Sequence, residues 1–362
     1  MKITNRLMSL SLAAAALMAV SSCKNSDIEF PDNTTKTVYF GNQYPVRTLV
    51  MGEDNDVDLT LDNKWQCKIG ATFGGSYTGK DYSVTVDVDE TLLENLYLDA
   101  AATVPVKALD PSYYTITKTA NFGGSFYGYF DVQLNEKFFE DPNTAAVLDD
   151  KGTMIYPNGL YVIPLVITSQ NGADAILSGQ YDTDVFPSAP ARTKTDDWKV
   201  APKDFTLYAV NYINEQSGFW LQSGTDVVNG TTVDRTVKNE FVIEDKVVYL
   251  STVNLKKVKM KTPEYTYDVS LPAESVEIEL TFADNGDVTV SAPDGAAYTV
   301  SGTGKYTKKG AGKYWGNKDR DLITLEYTVK SGANTYKTSD KLVSQRRGIK
   351  FNEFAPNYIS SK

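Results

Sequence analysis

Short runs of alternating or β-branched residues recur along the chain from Thr37 onward, and they predict strands rather than helices. They fall at Thr37–Phe40, Val57–Leu61, Tyr82–Val88, Tyr113–Thr117, Tyr129–Leu134 and Leu160–Thr168. A second set falls at Phe205–Tyr212, Glu240–Ile243, Lys246–Leu250, Val276–Phe282, Val288–Ala292, Leu322–Val329 and Thr335–Val343. Turn-forming residues such as Asn285-Gly286-Asp287 and Asp294-Gly295 separate them. No long segment carries a 3.6-residue repeat, so helix is expected only in short pieces, at Glu90–Tyr97 and Phe138–Val147. The pattern predicts an all-β protein built of sandwiches or barrels.

Two features organise these runs. Phe73-Gly74-Gly75-Ser76-Tyr77 is echoed 49 residues later by Phe122-Gly123-Gly124-Ser125-Phe126, each ahead of a strand. Two copies do not make a repeat array, and glycine pairs of this kind serve turns that need positive φ. Between Ser178 and Asp204 the pattern lapses into a stretch holding Pro187, Pro190 and Pro202, which reads as an interdomain linker. The expected division is a β-sandwich over residues 35–180, a linker over 181–203 and a barrel-like domain over 204–362.

The start of the chain reads as a processing signal. Lys2 and Arg6 precede an apolar stretch from Leu7 to Val20, too short for a membrane-spanning helix and shaped like a secretory signal. It ends in Val20-Ser21-Ser22-Cys23, which resembles the bacterial lipobox, whose cysteine is lipidated and becomes the mature N-terminus. Residues 1–22 are therefore expected to be removed, with Cys23 as the lipid attachment point and residues 23–34 as a polar, acidic tether. A chance cysteine behind an ordinary signal peptide is the alternative.

Composition then narrows the chemistry. Removing residues 1–22 takes away Lys2 and Arg6 and leaves 34 basic against 46 acidic side chains, a net charge of −12. Such a chain is not expected to bind nucleic acid, which needs a basic surface. There is no histidine in the sequence, which excludes Ser-His and Cys-His nucleophile pairs, histidine acid–base catalysis and HExxH zinc sites. If Cys23 is lipidated, Cys67 is the remaining thiol, expected to be buried as a small hydrophobe.

The strand Tyr82–Asp89, the segment Leu109-Asp110-Pro111-Ser112-Tyr113-Tyr114-Thr115-Ile116, Phe122-Gly123-Gly124 and the closing strand Gly159–Ile167 occur in the order found in a Bacteroidetes lipoprotein domain of unknown function, and the first domain resembles that family. Leu-Asp-Pro stands here where the family has Leu-Pro. Members stand at the N-terminus of surface proteins from glycan-utilisation systems, some ahead of endo-β-N-acetylglucosaminidase or laminin-G-like domains. The resemblance implies an immunoglobulin-like sandwich over most of residues 35–170. Tyr208–Asn214, Gly218–Gly224, Gly302–Tyr306, Trp315–Asp321 and Asp340–Gly348 resemble the C-terminal module paired with that domain in lipoproteins lacking a hydrolase domain. This second resemblance implies an antiparallel, lipocalin-like barrel, and it carries over no catalytic residues.

Each chemical motif has a plain structural reading beside it. Gly302-Thr303-Gly304-Lys305 and Gly310-Ala311-Gly312-Lys313 do not fit GxxxxGK[ST] and are expected to be hairpin glycines. Asp54, Asp56 and Asp58 have calcium-like spacing, but Leu59 stands where the loop needs glycine, so a solvated acidic loop is expected. No metal site, cofactor or catalytic residue is assigned. Sugar binding asks for aromatic rings to stack on pyranose faces and polar planar groups to hold hydroxyls. Trp220 and Gln222 lie in a Gly- and Gln-bearing segment, and Tyr314 and Trp315 stand just before Asn317, Asp319 and Arg320. These seven are the candidate ligand-binding residues, the alternative being that Trp220 and Trp315 fill the barrel core.

The sequence thus points to a lipid-anchored outer-membrane protein on the extracellular face. Its expected role is non-catalytic binding of a polysaccharide or oligosaccharide in a glycan-utilisation system. A structural or adhesin-like protein that docks envelope partners is the alternative, and a carboxylate-dependent glycoside hydrolase a weaker one.

Overall fold

The computed structural model describes residues 31–33, 35–54, 57–148, 153–234, 242–264, 275–348 and 352–360. The expected signal peptide, Cys23 and most of the tether lie outside the described residues, as does Asp56. With 8% helix and 55% strand the protein is all-β, a sandwich followed by a closed barrel.

The sandwich pairs a five-stranded sheet with a seven-stranded one. The smaller sheet runs Ala175–Ile176, Thr37–Phe40, Gln66–Gly74, Tyr127–Leu134 and Tyr114–Ile116 in spatial order. The path of the larger one runs Asn352–Glu353, Pro45–Val50, Phe205–Ile213, Leu160–Asn171, Ser83–Val88 and Thr119–Asn121, with Val106–Ala108 joining Leu160–Asn171 off that path. Strict alternation in Tyr127–Leu134 sends Phe130, Val132 and Leu134 inward and Tyr129, Asp131 and Gln133 outward. The inward set meets Val84, Val86, Ile163, Leu165, Val210 and Tyr212 in the main core. Each large side chain fully buried there contributes on the order of 1.5–3 kcal/mol. The strand Leu160–Asn171 is apolar on both faces because its other face is covered too, by Leu92, Leu96 and Phe354.

The barrel is one meander: Gly218–Val228, Lys246–Asn254, Lys257–Lys261, Glu277–Phe282, Asp287–Ser291, Thr299–Trp315, Lys318–Ser331 and Asn334–Arg346. It closes by antiparallel pairing of the last strand with the first, from Phe219↔Arg346 to Val228↔Tyr336. The hairpin strand Thr231–Asp234 pairs with the far end of the first strand. Closure removes the sheet edges that would otherwise be open to pairing.

Several expectations are corrected. The strand Phe205–Ile213, assigned by sequence to the second domain, lies in the sandwich between Leu160–Asn171 and Pro45–Val50. Residues 181–203 therefore do not link the domains. Gln180–Tyr181 pairs with Trp198–Val200, Arg192 forms an ion pair with the buried Asp204, and Trp198 Nε1 donates to the Ala191 carbonyl at 3.0 Å. The prolines belong to a pinned excursion that returns to the same sheet. The crossing to the barrel comes at Asn214–Ser217, and the tail comes back to the sandwich, where Asn352–Glu353 pairs with Pro45–Val46 and Asn357–Tyr358 with Leu96–Tyr97. The expected strand Val57–Leu61 is a bend running into the helical turn Thr60–Asn63, because Asp58 accepts from the backbone and hydroxyl of Thr60 and favours a turn. Part of the expected strand Glu240–Ile243 lies outside the described residues, and Val242–Glu244 is a 3₁₀ turn. The helical pieces are shorter than expected, at Glu90–Leu93 and Glu136–Glu140.

Candidate functional site

The barrel's first strand decides the fate of two candidate residues. Along Gly218–Val228, Trp220 and Gln222 point into the barrel and Phe219 points out. Trp220 is 3% exposed, packs in the barrel core, and donates its Nε1–H to the Gln216 carbonyl at 2.9 Å. Gln222 is equally buried and donates to Asp340 Oδ2 at 3.0 Å. Neither can stack on a sugar or hold its hydroxyls, so the ligand-facing role expected of both is corrected. The physical reason is period two: one face of a barrel strand is interior, and a tryptophan on that face fills space that smaller side chains would leave empty.

The other five candidates lie at the tip of the long hairpin Thr299–Trp315/Lys318–Ser331. Trp315 pairs with Lys318, and Gly316 and Asn317, both with positive φ, make the two-residue turn between them. Asn317 is thus a turn residue of the kind tight hairpins select. Tyr314 and Trp315 are half-buried on the outer barrel wall against Leu221 and Val343. The Tyr314 ring also lies under Lys341 Nζ at 4.2 Å, and its hydroxyl donates to Asp245 at 3.3 Å. Asp319 Oδ1 accepts from the Lys313 backbone at 3.0 Å, closing the hairpin's bulge. Arg320 donates to the carbonyls of Trp315 and Gln345 at 3.1 and 3.2 Å.

Asp319 and Arg320, with the edge of Trp220, line a cleft of about 100 Å³ at the junction of the two domains. The sequence did not suggest its remaining wall. Glu53 comes from the sandwich loop after Pro45–Val50, Glu215 from the crossing segment, Lys308 from the long hairpin, and Phe219 and Arg346 from the paired barrel strands. Lys308 Nζ lies 2.8 Å from Glu53 and 3.9 Å from Glu215, so the hairpin and the sandwich meet through charge. That contact holds the Glu53 carboxyl below its usual range and the Lys308 ammonium above its own. Arg346 lies over the Phe219 ring at 4.3 Å, a planar cation on an aromatic face. Asp321 Oδ2 accepts from the Tyr306 hydroxyl at 3.0 Å, which together with burial pushes that phenol well above its ordinary value. These residues come from five separate stretches, and no spacing in the sequence marks them as neighbours.

Arg347 forms the back of the cleft. It donates to the carbonyls of Met51 at 3.1 Å and Asn214 at 2.5 Å in the sandwich and crossing segment, and of Ser217 at 2.9 Å at the barrel entrance. Burial pushes its guanidinium below its ordinary value. Asn214, fully buried, completes the junction: its Nδ2 donates to the Asn254 and Lys257 carbonyls, and its Oδ1 accepts from the Gln216 and Ser217 backbone. The cleft therefore sits on a fixed joint.

Comparison with known proteins agrees with this division. A model of a domain of unknown function, DUF5627, matches residues 215–348, which is the barrel, and a model of an N-terminal domain matches residues 31–174 of the sandwich. No curated protein matches the chain. A crystal structure of a protein of unknown function from Bacteroides ovatus is 33% identical, covers 91% of this chain and all of its own, and superposes with a TM-score of 0.79. A second Bacteroides ovatus protein of unknown function is 11% identical with a TM-score of 0.42, covering 86% of this chain and 94% of its own. A Bacteroides thetaiotaomicron structure described as an auxiliary nutrient binding protein is 12% identical with a TM-score of 0.36, covering 83% of this chain and 90% of its own. On the strength of the first of these likenesses, the chain belongs to the same family as that Bacteroides ovatus protein, with a DUF5627 domain as its barrel.

Proposed function

We propose that this is a lipid-anchored, non-catalytic surface protein that binds glycan in the cleft between sandwich and barrel. The observation that carries the reading is the meeting there of planar charged groups from both domains beside an aromatic ring: Glu53 and Glu215 opposite Arg320, Arg346 and Phe219. Guanidinium and carboxylate groups hydrogen-bond in pairs, which suits adjacent sugar hydroxyls, and the ring adds apolar surface beside them. A non-catalytic role is supported by the state of the carboxylates. Glycoside hydrolysis needs a pair of carboxyls free to act on the sugar, whereas Lys308 ion-pairs with Glu53 and Glu215. Asp319 and Asp321 are engaged by the Lys313 and Lys309 backbone N–H groups in shaping the hairpin. The anchor at Cys23, the outer-membrane address, and the immunoglobulin-like and lipocalin-like kinships rest on the sequence resemblance.

Two variants separate the parts of this reading. Cys23→Ser is expected to release the protein from the membrane fraction without changing its sugar binding. Arg346→Ala is expected to stay with the membrane and weaken binding of soluble oligosaccharides by about tenfold in calorimetric titration. Unchanged affinity in Arg346→Ala and in Glu215→Ala, at unchanged melting temperature, would remove the cleft from consideration. Stable capture of an envelope protein together with no heat from any sugar would favour the docking alternative instead.

A further inference from the structure

The outward face of the five-stranded sheet lies away from the cleft and has a composition of its own. Tyr127 and Tyr129 are 52% and 47% exposed, large values for aromatic residues in the middle of a sheet. Their rings are 6.2 Å apart with planes only 23° from parallel, so they continue one another along the strand. The neighbouring strand makes this possible. Tyr129 is paired with Gly70, and a Cβ at Gly70 would stand 3.3 Å from the Tyr129 ring, so the ring lies across a position with no side chain. Tyr39, two strands from Tyr129 on the same sheet, is paired with Thr72 and reaches diagonally to Gly74, where a Cβ would stand 3.5 Å from its ring.

Along the same strands the face changes from aromatic to polar. Lys68 sits opposite Asp131 at 3.4 Å, and Gln66 opposite Gln133, with an amide–amide hydrogen bond of 2.8 Å. These pairs, with Thr115 and Thr117, line a groove of about 450 Å³, and Lys68 in its wall reaches over the Tyr129 ring at 5.7 Å. Within the groove the charges cancel in the Lys68–Asp131 pair, and the other polar groups are amides and hydroxyls, with Leu61 as an apolar part of the lining. An anionic or cationic polymer would ask for unbalanced charge. Flat rings leading into neutral donors and acceptors fit a ligand with C–H faces and many hydroxyls.

We propose that this face is a second glycan-binding surface, on which a neutral linear polysaccharide stacks over Tyr127 and Tyr129 and continues into the Gln66/Lys68 groove. The proposal shares the ligand class of the cleft reading but none of its residues. The test is affinity electrophoresis of the full chain in gels containing xylan, mixed-linkage β-glucan or galactomannan, with polygalacturonate as the charged control. Retardation by at least one neutral polymer is expected in the wild type. It should fall about tenfold in Tyr127→Ala/Tyr129→Ala and persist in Tyr127→Phe/Tyr129→Phe, which keeps the stacking rings. An unchanged melting temperature shows that the sheet has survived the substitutions. Retention of binding by the double alanine variant, absence of retardation by every neutral polymer, or retardation by polygalacturonate alone would each overturn the proposal. Loss in Arg346→Ala with retention in the double alanine variant would leave the cleft standing and remove this surface.

Discussion

Cys67 is a thiol that the fold has taken out of chemistry. It is 2% exposed between Ile69 and Phe130 in the sandwich core, and burial pushes its pKa up to about 12. Burial disfavours the thiolate, and the thiolate is the reactive form. The folded protein is therefore expected to give no reaction with a disulfide reagent at pH 8, and one equivalent per chain after denaturation of the form that begins past Cys23. Rapid labelling of the native chain would contradict the placement. The same logic of burial governs Trp220 and Gln222. Their residue types suggested a binding patch, but a side chain's chemistry is available only on the face its strand turns outward. Tyr127 and Tyr129 have no more suggestive sequence context than Trp220, yet alternation leaves them in solvent.

At the scale of elements, the long strand Thr299–Trp315 shows what pattern reading misses. Its glycines were expected to be hairpin glycines and do stand in one arm of the hairpin with Lys318–Ser331, but no alternation marks the run, and it forms the longest strand of the barrel. Gly302 and Gly304 face inward, where a Cβ would come within 2.4 and 2.3 Å of the Glu326 and Thr324 carbonyl oxygens. They let two strands approach closely where the barrel wall coils, and Tyr327 and Leu325 fill the space. Gly302→Ala should lower stability by about 1–3 kcal/mol in urea unfolding, as expected of overpacking against backbone. A change within a few tenths of a kcal/mol would mean the strands can part without cost. The sandwich strands with clear alternation, such as Thr37–Phe40 and Tyr127–Leu134, were legible because one of their faces meets the core and the other water. Pro45–Val50 and Gly218–Val228 were not, since polar residues at inward or shielded positions, Thr48, Gln222 and Asp226, break the period.

Across the whole molecule, two β-domains behave as one joint because the chain crosses at Asn214–Ser217 and returns through Arg347. Arg347→Ala would leave three carbonyls at the junction, those of Met51, Asn214 and Ser217, without their charged donor. Hydrogen bonds to a charged group are worth about 1.5–3 kcal/mol each. The expected result is a loss of about 3–5 kcal/mol and separation of a single calorimetric unfolding transition into two. Arg347→Lys should restore little, because an ammonium cannot reproduce the planar fork. A single, unshifted transition in Arg347→Ala would show that the joint is held elsewhere. By itself, the sequence determined the all-β class, the absence of histidine chemistry, the acidic charge and the position of the clearly alternating strands, since these follow from composition and from a period of two that any sheet must obey. It could not determine which sheet a strand joins, where the domains divide, or which aromatic rings meet solvent. Those depend on pairings between residues far apart in the chain, such as Phe205–Ile213 with Pro45–Val50 and Lys308 with Glu53, and only the closed tertiary structure brings them together.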